Sequence, residues 1–230
     1  MLKIIHLIKR KHPGLEEGQV EAFQKRWRQG HGPIAARLPG LRRYVQSHAL
    51  VQGYRKGELL FDGISEFWFA NKADLDAAKS SPAWDEMVAD LHGFVDTGRC
   101  IEMPIELHVI KDNPAPPGAV KNIEFVNQRP GMDRAEFRRY WREVHGPIAA
   151  RIPVLHRYEQ NHLALTEYDR PSPPPYDGLA ITWFASTADM KAGTRTEEYR
   201  LTRADEPHFL PDGHLPIIIT REYEIAPSAE

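Results

Sequence analysis

The sequence predicts an α+β fold: two ferredoxin-like βαββαβ modules that form one pseudo-dimeric α+β barrel. Three observations predict it. His31 to Tyr44 (HGPIAARLPGLRRY) recurs as His145 to Tyr158 (HGPIAARIPVLHRY), eleven of fourteen positions being identical at a spacing of 114 residues. Phe23, Trp27, Gln46 and His48 around the first copy recur as Phe137, Trp141, Gln160 and His162 around the second. A repeat of that period is one structural unit copied, so the 230 residues divide into two modules rather than one large domain. Both copies also stand in the same succession of strand and helix patterns. Finally, the Pro-rich stretch DNPAPPGA at 112–119 is a semi-rigid linker between residues 1–111 and 120–226.

The elements follow in order. Lys3 to Lys9 is a β-rich run, with Ile4, His6 and Ile8 on one face and Ile5 and Leu7 on the other. Residues 12–18 form a turn. Val20, Phe23, Trp27 and His31 recur at steps of three and four, predicting a helix over Gln19–Gly30 that stops at Gly32-Pro33. Residues 41–51 read as a strand presenting Tyr44, Gln46 and His48 on one face, and Gly63–Ala70 as an aromatic-rich strand. Helical spacing over Asn71–Phe94 breaks near Ser81-Pro82, and residues 104–110 make a fourth strand. The second module repeats this plan with strands at 122–127, 155–165, 179–185 and 217–225, and helices over 133–144 and 188–205. DRPSPPPY at 169–176 is an insert, and the last few residues read as disordered. Each order is βαββαβ. A four-stranded sheet with both helices on one face leaves the other face in need of cover, and two such sheets cover each other by closing into a barrel.

Composition narrows the function classes. A formal net charge of -2 gives no electrostatic case for nucleic acid or an anionic membrane surface. The single cysteine, Cys100, excludes an intramolecular disulfide and a multi-cysteine metal site, and is expected to be structural. No apolar run approaches the roughly 20 residues of a membrane span. The apolar part of MLKIIHLIKRK is too short for a signal peptide, so a cytoplasmic protein is expected. Phosphate-binding glycine loops, dinucleotide fingerprints and HExxH-type spacings are absent, so no cofactor and no metal is expected.

A strand, a helix ending in F…W…HGP, and L…Y on the next strand resemble the EthD family of dimeric α+β barrel proteins, over both halves of the chain. Most members are single modules that dimerise, so the chain looks like a fused pair. The resemblance implies small-molecule chemistry. Related methylmuconolactone isomerases use a histidine and a tyrosine at positions matching His31 and Tyr44, and related polyketide cyclases place a histidine where His6 stands. The family's link to oxidative ether degradation implies an oxidoreductase or accessory role as the alternative, and haem occurs on related barrels.

Candidate site residues follow. His31 and His145 are acid/base groups at a cavity rim, or charged residues stabilised by the helix C-terminus. Tyr44, Gln46 and His48, and likewise Tyr158, Gln160 and His162, each form a polar strand face suited to a polar cavity or to solvent. If that face lines the barrel, tyrosine and histidine polarise a carbonyl or enolate oxygen without a metal. The copies differ where His6 is matched by Glu124, Glu66 by Ile181 and His108 by Tyr223. His6, Glu66 and His108 are expected to share the Tyr44 face, making module one the richer in acid/base groups. Trp68 and Trp183 are expected to wall the ligand cavity. Arg37 and Arg151 could clamp a carboxylate but are expected to pair with acids at the module seam. The expectation is a barrel that binds a small, largely apolar, oxygenated molecule and performs cofactor-free isomerisation, cyclisation or elimination. A non-catalytic binding barrel is the reading from a different class. Substrate, working half and any further homodimer are not written in the sequence.

Overall fold

A computed structural model describes residues 1–14, 16 and 18–226. Positions 15 and 17 of the predicted turn, and the tail predicted to be disordered after residue 226, lie outside the described residues. Among the described residues eight strands form: β1 Leu2–Ile8, β2 Leu41–Ala49, β3 Gly63–Phe69, β4 Ile101–Asp112, β5 Val120–Val126, β6 Leu155–Leu163, β7 Gly178–Phe184 and β8 Ile217–Ala226. They run in the order β1-β3-β2-β8-β5-β7-β6-β4 as a closed barrel, the architecture the repeat predicts. The chain divides into two compact units, Met1–Ile105 with Thr220–Glu230, and Glu106–Ile219.

The first unit carries helices α1 Gln19–Lys25, α2 Gly32–Ala35, α3 Lys72–Lys79 and α4 Pro82–Leu91; the second carries α5 Arg134–Tyr140, α6 Gly146–Ala149, α7 Thr187–Gly193 and α8 Glu197–Asp205. The break predicted at Ser81-Pro82 is real. Ser81 caps α4 by accepting the Trp84 amide, and Pro82 takes the first turn, where no amide is needed.

The predicted stop at Gly32-Pro33 is not a stop. The chain passes from α1 through a π-helical segment, Arg26–His31, directly into α2, and does the same through Trp141–His145 into α6. Pro33 and Pro147 fall in the first turn of the continuing helix, where a missing amide costs little. The wider turn sends the Gly32 amide back to the Trp27 carbonyl, which also accepts from Gln46 Nε2 at 3.2 Å. The second copy matches it, with Gln160 Nε2 donating to the Trp141 carbonyl at 2.6 Å. Gly146 lets the helix approach closely here, since a Cβ would lie 3.0 Å from Gln160 Nε2 and 3.2 Å from Ile110 and would press on both side chains. The duplicated stretch is therefore a joint that turns His31 or His145 inward and locks the helix to the next strand.

Candidate functional site

Strand register decides what each module presents beneath its helices. In the first, Ile4, Phe67 and Tyr44 stand side by side across β1, β3 and β2, followed by His6, Ser65 and Gln46. In the second, the same places hold Asn122, Thr182 and Tyr158, then Glu124, Ala180 and Gln160. These faces pack under the helices: His48 stacks on Trp27 at 4.3 Å, and His162 on Trp141 at 4.3 Å. The Tyr44 and Tyr158 sets therefore face neither solvent nor the opposite side of the sheet. They form hydrogen-bonded rows at the sheet–helix layer.

Module one is filled at this layer. Phe67 stacks on Tyr44 at 4.4 Å with the rings 7° from parallel, and Ile4, Leu75, Ala78 and fully buried Met87 complete the core. The Tyr44 hydroxyl accepts from Gln46 Nε2 at 2.7 Å and meets Ser65 Oγ at 3.3 Å. Its pKa is raised to about 12 by burial. A pocket of about 150 Å³ remains beside His6, Glu102 and Cys100, but neither Tyr44 nor His31 lines it. His6 Nε2 lies 3.2 Å from Glu102. Burial would push that carboxyl up, but His6 and Lys79 hold it down at about 2.

Module two is hollow at this layer. A cavity of about 180 Å³ is lined by His145, Tyr158, Glu124 and Glu206 among apolar side chains that include Trp141, Leu155 and Phe209. Thr182 leaves the room that Phe67 takes in the first copy. At the same helical places, Thr202 stands for Met87 and Glu206 for Leu91. The apolar plug has become a cavity with polar groups in its wall.

The polar groups are oriented by their partners. His145 Nδ1 lies 2.9 Å from Asp205 Oδ2, while Tyr140 donates to Oδ1 at 2.7 Å. The His145 hydrogen bond, against the opposing effect of burial, holds Asp205 below the usual carboxylate range. The acceptor is thus a carboxylate, which assigns a proton to His145 Nδ1 and turns Nε2 away from Asp205. Tyr158 Oη accepts from Trp141 Nε1 and from Gln160 Nε2, each at 3.1 Å. Ala180 removes the hydroxyl that Ser65 offers in module one, so no acceptor among the described residues takes the Tyr158 proton. Burial raises the Tyr158 pKa, which keeps that proton in place as a donor. Glu206 is pushed up to about 7 by burial and by repulsion from Glu124, against the attraction of Arg203 at 2.6 Å. Asn122 Nδ2 donates to Glu124 at 2.8 Å.

The remaining predicted residues separate. His31 keeps the parallel contact to Asp90 at 2.9 Å, its pKa lowered chiefly by burial, but it sits over the filled layer. His48 and His162 are pushed down to about 3 and about 2 by burial, so both are neutral and act as links to Gln46 and Gln160. Glu66 does not share the Tyr44 face. It pairs in register with Ile5 and Val45 and lies 2.9 Å from Lys3, because Ser65 and Phe67 take the helix-facing places on β3. Trp68 and Trp183 alternate onto that same opposite face, under Lys3 and Lys121, and do not wall the cavity. His108 leaves the Tyr44 set as well. β4 carries it into the second unit, where it meets His162 edge-on at 4.8 Å, while Tyr223 meets His48 at 4.9 Å in the first. Arg37 pairs with exposed Glu86 at 2.6 Å.

Sequence reasoning missed Asp205, Glu206, Thr182 and Thr202. The first was detectable, because Thr196 and Asp205 in the weak helix repeat the spacing of Ser81 and Asp90. Among the described residues there is no cluster of three or more His, Cys, Asp or Glu that could hold a metal ion, and no helix long and apolar enough to cross a membrane.

Residues 15–98 and 129–212 each match the EthD domain, and the chain belongs to that family as a tandem two-module member. Its fold is similar to that of an anthrone oxidase-like protein (TM-score 0.61, 10% identity, covering 100% of this chain and 96% of that one). It is also similar to a proposed monooxygenase of Lactobacillus acidophilus NCFM (TM-score 0.55, 13% identity, covering 99% and 95%). A proposed chlorite dismutase shows the same architecture (TM-score 0.55, 13% identity, covering 98% and 96%). At these identities the likeness is one of fold. No curated protein matches the sequence at a significant level.

Proposed function

We propose that module two binds a small oxygenated ring compound between its sheet and helices and moves a proton on it. The observation that carries this reading is the convergence of His145, Tyr158 and Glu206 on one cavity whose counterpart in module one is filled. A cavity of about 180 Å³ suits a molecule somewhat larger than benzene, which an engineered void of about 150 Å³ accepts. Tyr158 donates its free proton to a carbonyl or enolate oxygen. His145 Nε2 takes a proton from the adjacent carbon or hydroxyl, and Asp205, a positioning residue, stabilises the imidazolium that forms. Glu206, half protonated near neutral pH, returns a proton at a second position. Removal at one atom and return at another is isomerisation; return to a departing hydroxyl is elimination.

A second reading shares the first step. A phenolate or enolate held by Tyr158 is also the electron-rich form that an oxidase or oxygenase presents to dioxygen. The names of the anthrone oxidase-like and monooxygenase relatives motivate it, and oxygen uptake distinguishes it.

Hydrogen–deuterium exchange tests the proton transfer without knowledge of the substrate. Cyclohexenone incubated with the protein in D₂O should lose its α-protons by NMR faster than in buffer. Tyr158→Phe and Asp205→Asn should each slow that exchange on the order of 100-fold with the fold retained. Binding without exchange would make the module a sequestering barrel.

A further inference from the structure

A second concave feature lies on another side of module two, an open groove of about 400 Å³ whose wall includes Arg134, Arg138, Arg139, Arg142, His108 and His162. We propose that this groove binds the oxyanion group of an organic carboxylate or phosphate.

Its charge balance supports an anion. Four arginines face two acids, and both acids are already engaged. Asp133 caps α5 by accepting the Ala135 and Glu136 amides at 2.9 and 3.1 Å. Glu106 is held by the Arg138 guanidinium and by His108 at 3.2 Å. Arg138 also donates to the Leu163 carbonyl at 2.7 Å, so it is fixed in place. Arg139 is exposed and makes no hydrogen bond or ion pair among the described residues, acting on Glu143 only through its charge, and exposed Arg142 lies 2.6 Å from the same Glu143. The Arg134 guanidinium lies over the Tyr168 ring, 3.6 Å from its centre.

A buried atom in the wall calls in addition for a hydrogen-bond donor on the ligand or on its water. Gln160 donates through Nε2 to the Trp141 carbonyl, so its Oε1 faces His162 Nε2 at 3.1 Å and must accept a proton from it. His162 Nδ1 is therefore a bare acceptor, and it is buried with no partner, in a side chain 1% exposed. A ligand hydroxyl, or the water that accompanies a bound anion, completes it. Module one has none of this. Val20, Gln24 and Lys25 replace Arg134, Arg138 and Arg139, and the Tyr223 ring covers Arg28 at 4.5 Å. Exposed Leu165 at the rim offers an apolar arm of the ligand a contact.

The test is an NMR titration of the full-length protein with inorganic phosphate and, separately, hexanoate, at fixed ionic strength. The His108 and His162 ring signals report the groove. A saturable shift with either anion and none with chloride is expected, together with a rise in the His108 pKa as negative charge joins Glu106, Arg138, Arg142 and His162 around it. Phosphate alone or hexanoate alone would identify the ligand chemistry. Replacing the two exposed side chains, Arg139→Gln and Arg142→Gln together, should weaken binding on the order of tenfold or more. Shifts that never saturate, or that match chloride, or that are unchanged in the double variant would overturn the proposal. Cyclohexenone exchange in the cavity is read independently of all of these outcomes.

Discussion

Thr182→Phe should close the cavity and abolish ligand uptake while leaving the fold as stable as before or more so. Phe67 already demonstrates the geometry, since in module one it stacks at 4.4 Å on the tyrosine that matches Tyr158. Overpacking a filled core usually costs about 1–3 kcal/mol. Here the ring enters existing space beside Tyr158, its cross-strand neighbour, so that cost does not arise. Calorimetric titration with cyclohexenone should show affinity lowered by roughly 100-fold or more, with a urea midpoint unchanged or raised. The reciprocal change, Phe67→Thr, should do the opposite. It removes a 4%-exposed ring from a packed cluster and should cost about 3–5 kcal/mol, as large-to-small aromatic substitutions do. Retained binding in Thr182→Phe would place the ligand elsewhere.

Glu206→Gln should flatten part of the protein's pH–stability profile. In the folded chain this carboxyl titrates at about 7, against an ordinary value of 4.5. The folded state therefore holds the proton more tightly than the unfolded state does. That contribution is complete below the ordinary value and is lost as pH rises through about 7. Wild type should lose stability relative to Glu206→Gln between about pH 5 and pH 8, by on the order of 1–2 kcal/mol once partial exposure and the Arg203 contact are discounted. Urea titrations at stepped pH values provide the check. Parallel curves for the two proteins would mean that Glu206 ionises normally. Where Glu206 acts as the acid, proton exchange should weaken over the same range.

The sequence made the fold legible because the repeat, the period-two strands and the Pro-rich linker all pointed to one architecture. It also singled out His145 and Tyr158, which line the cavity of module two because the HGP…Y joint that sets them is local. What it could not rank was the two halves. Counting ionisable residues favoured His6, Glu66 and His108 in module one, but occupancy of space decides whether such groups can meet a ligand. Phe67 against Thr182 and Met87 against Thr202 are differences of volume, and they are invisible to a search for acids and bases. Glu66 was misplaced by one strand position, which turns a side chain to the other face. His108 was misplaced because β4 spans both compact units, and only the three-dimensional arrangement brings it against His162. The π segment was unreadable for another reason. Gly-Pro ordinarily ends a helix, and a widened turn that carries the helix past it depends on the Gln46 and Gln160 side chains from a later strand.

Module two is proposed as the working half because its sheet–helix layer is hollow and carries His145, Tyr158 and Glu206 in its wall. A crystal structure of the protein with cyclohexenone tests it most directly. The ligand should lie between β5–β7–β6 and α8, with its oxygen within hydrogen-bonding distance of Tyr158 Oη and its ring beside Thr182. Ligand beside His6 in module one, or against Trp68 or Trp183, would contradict it.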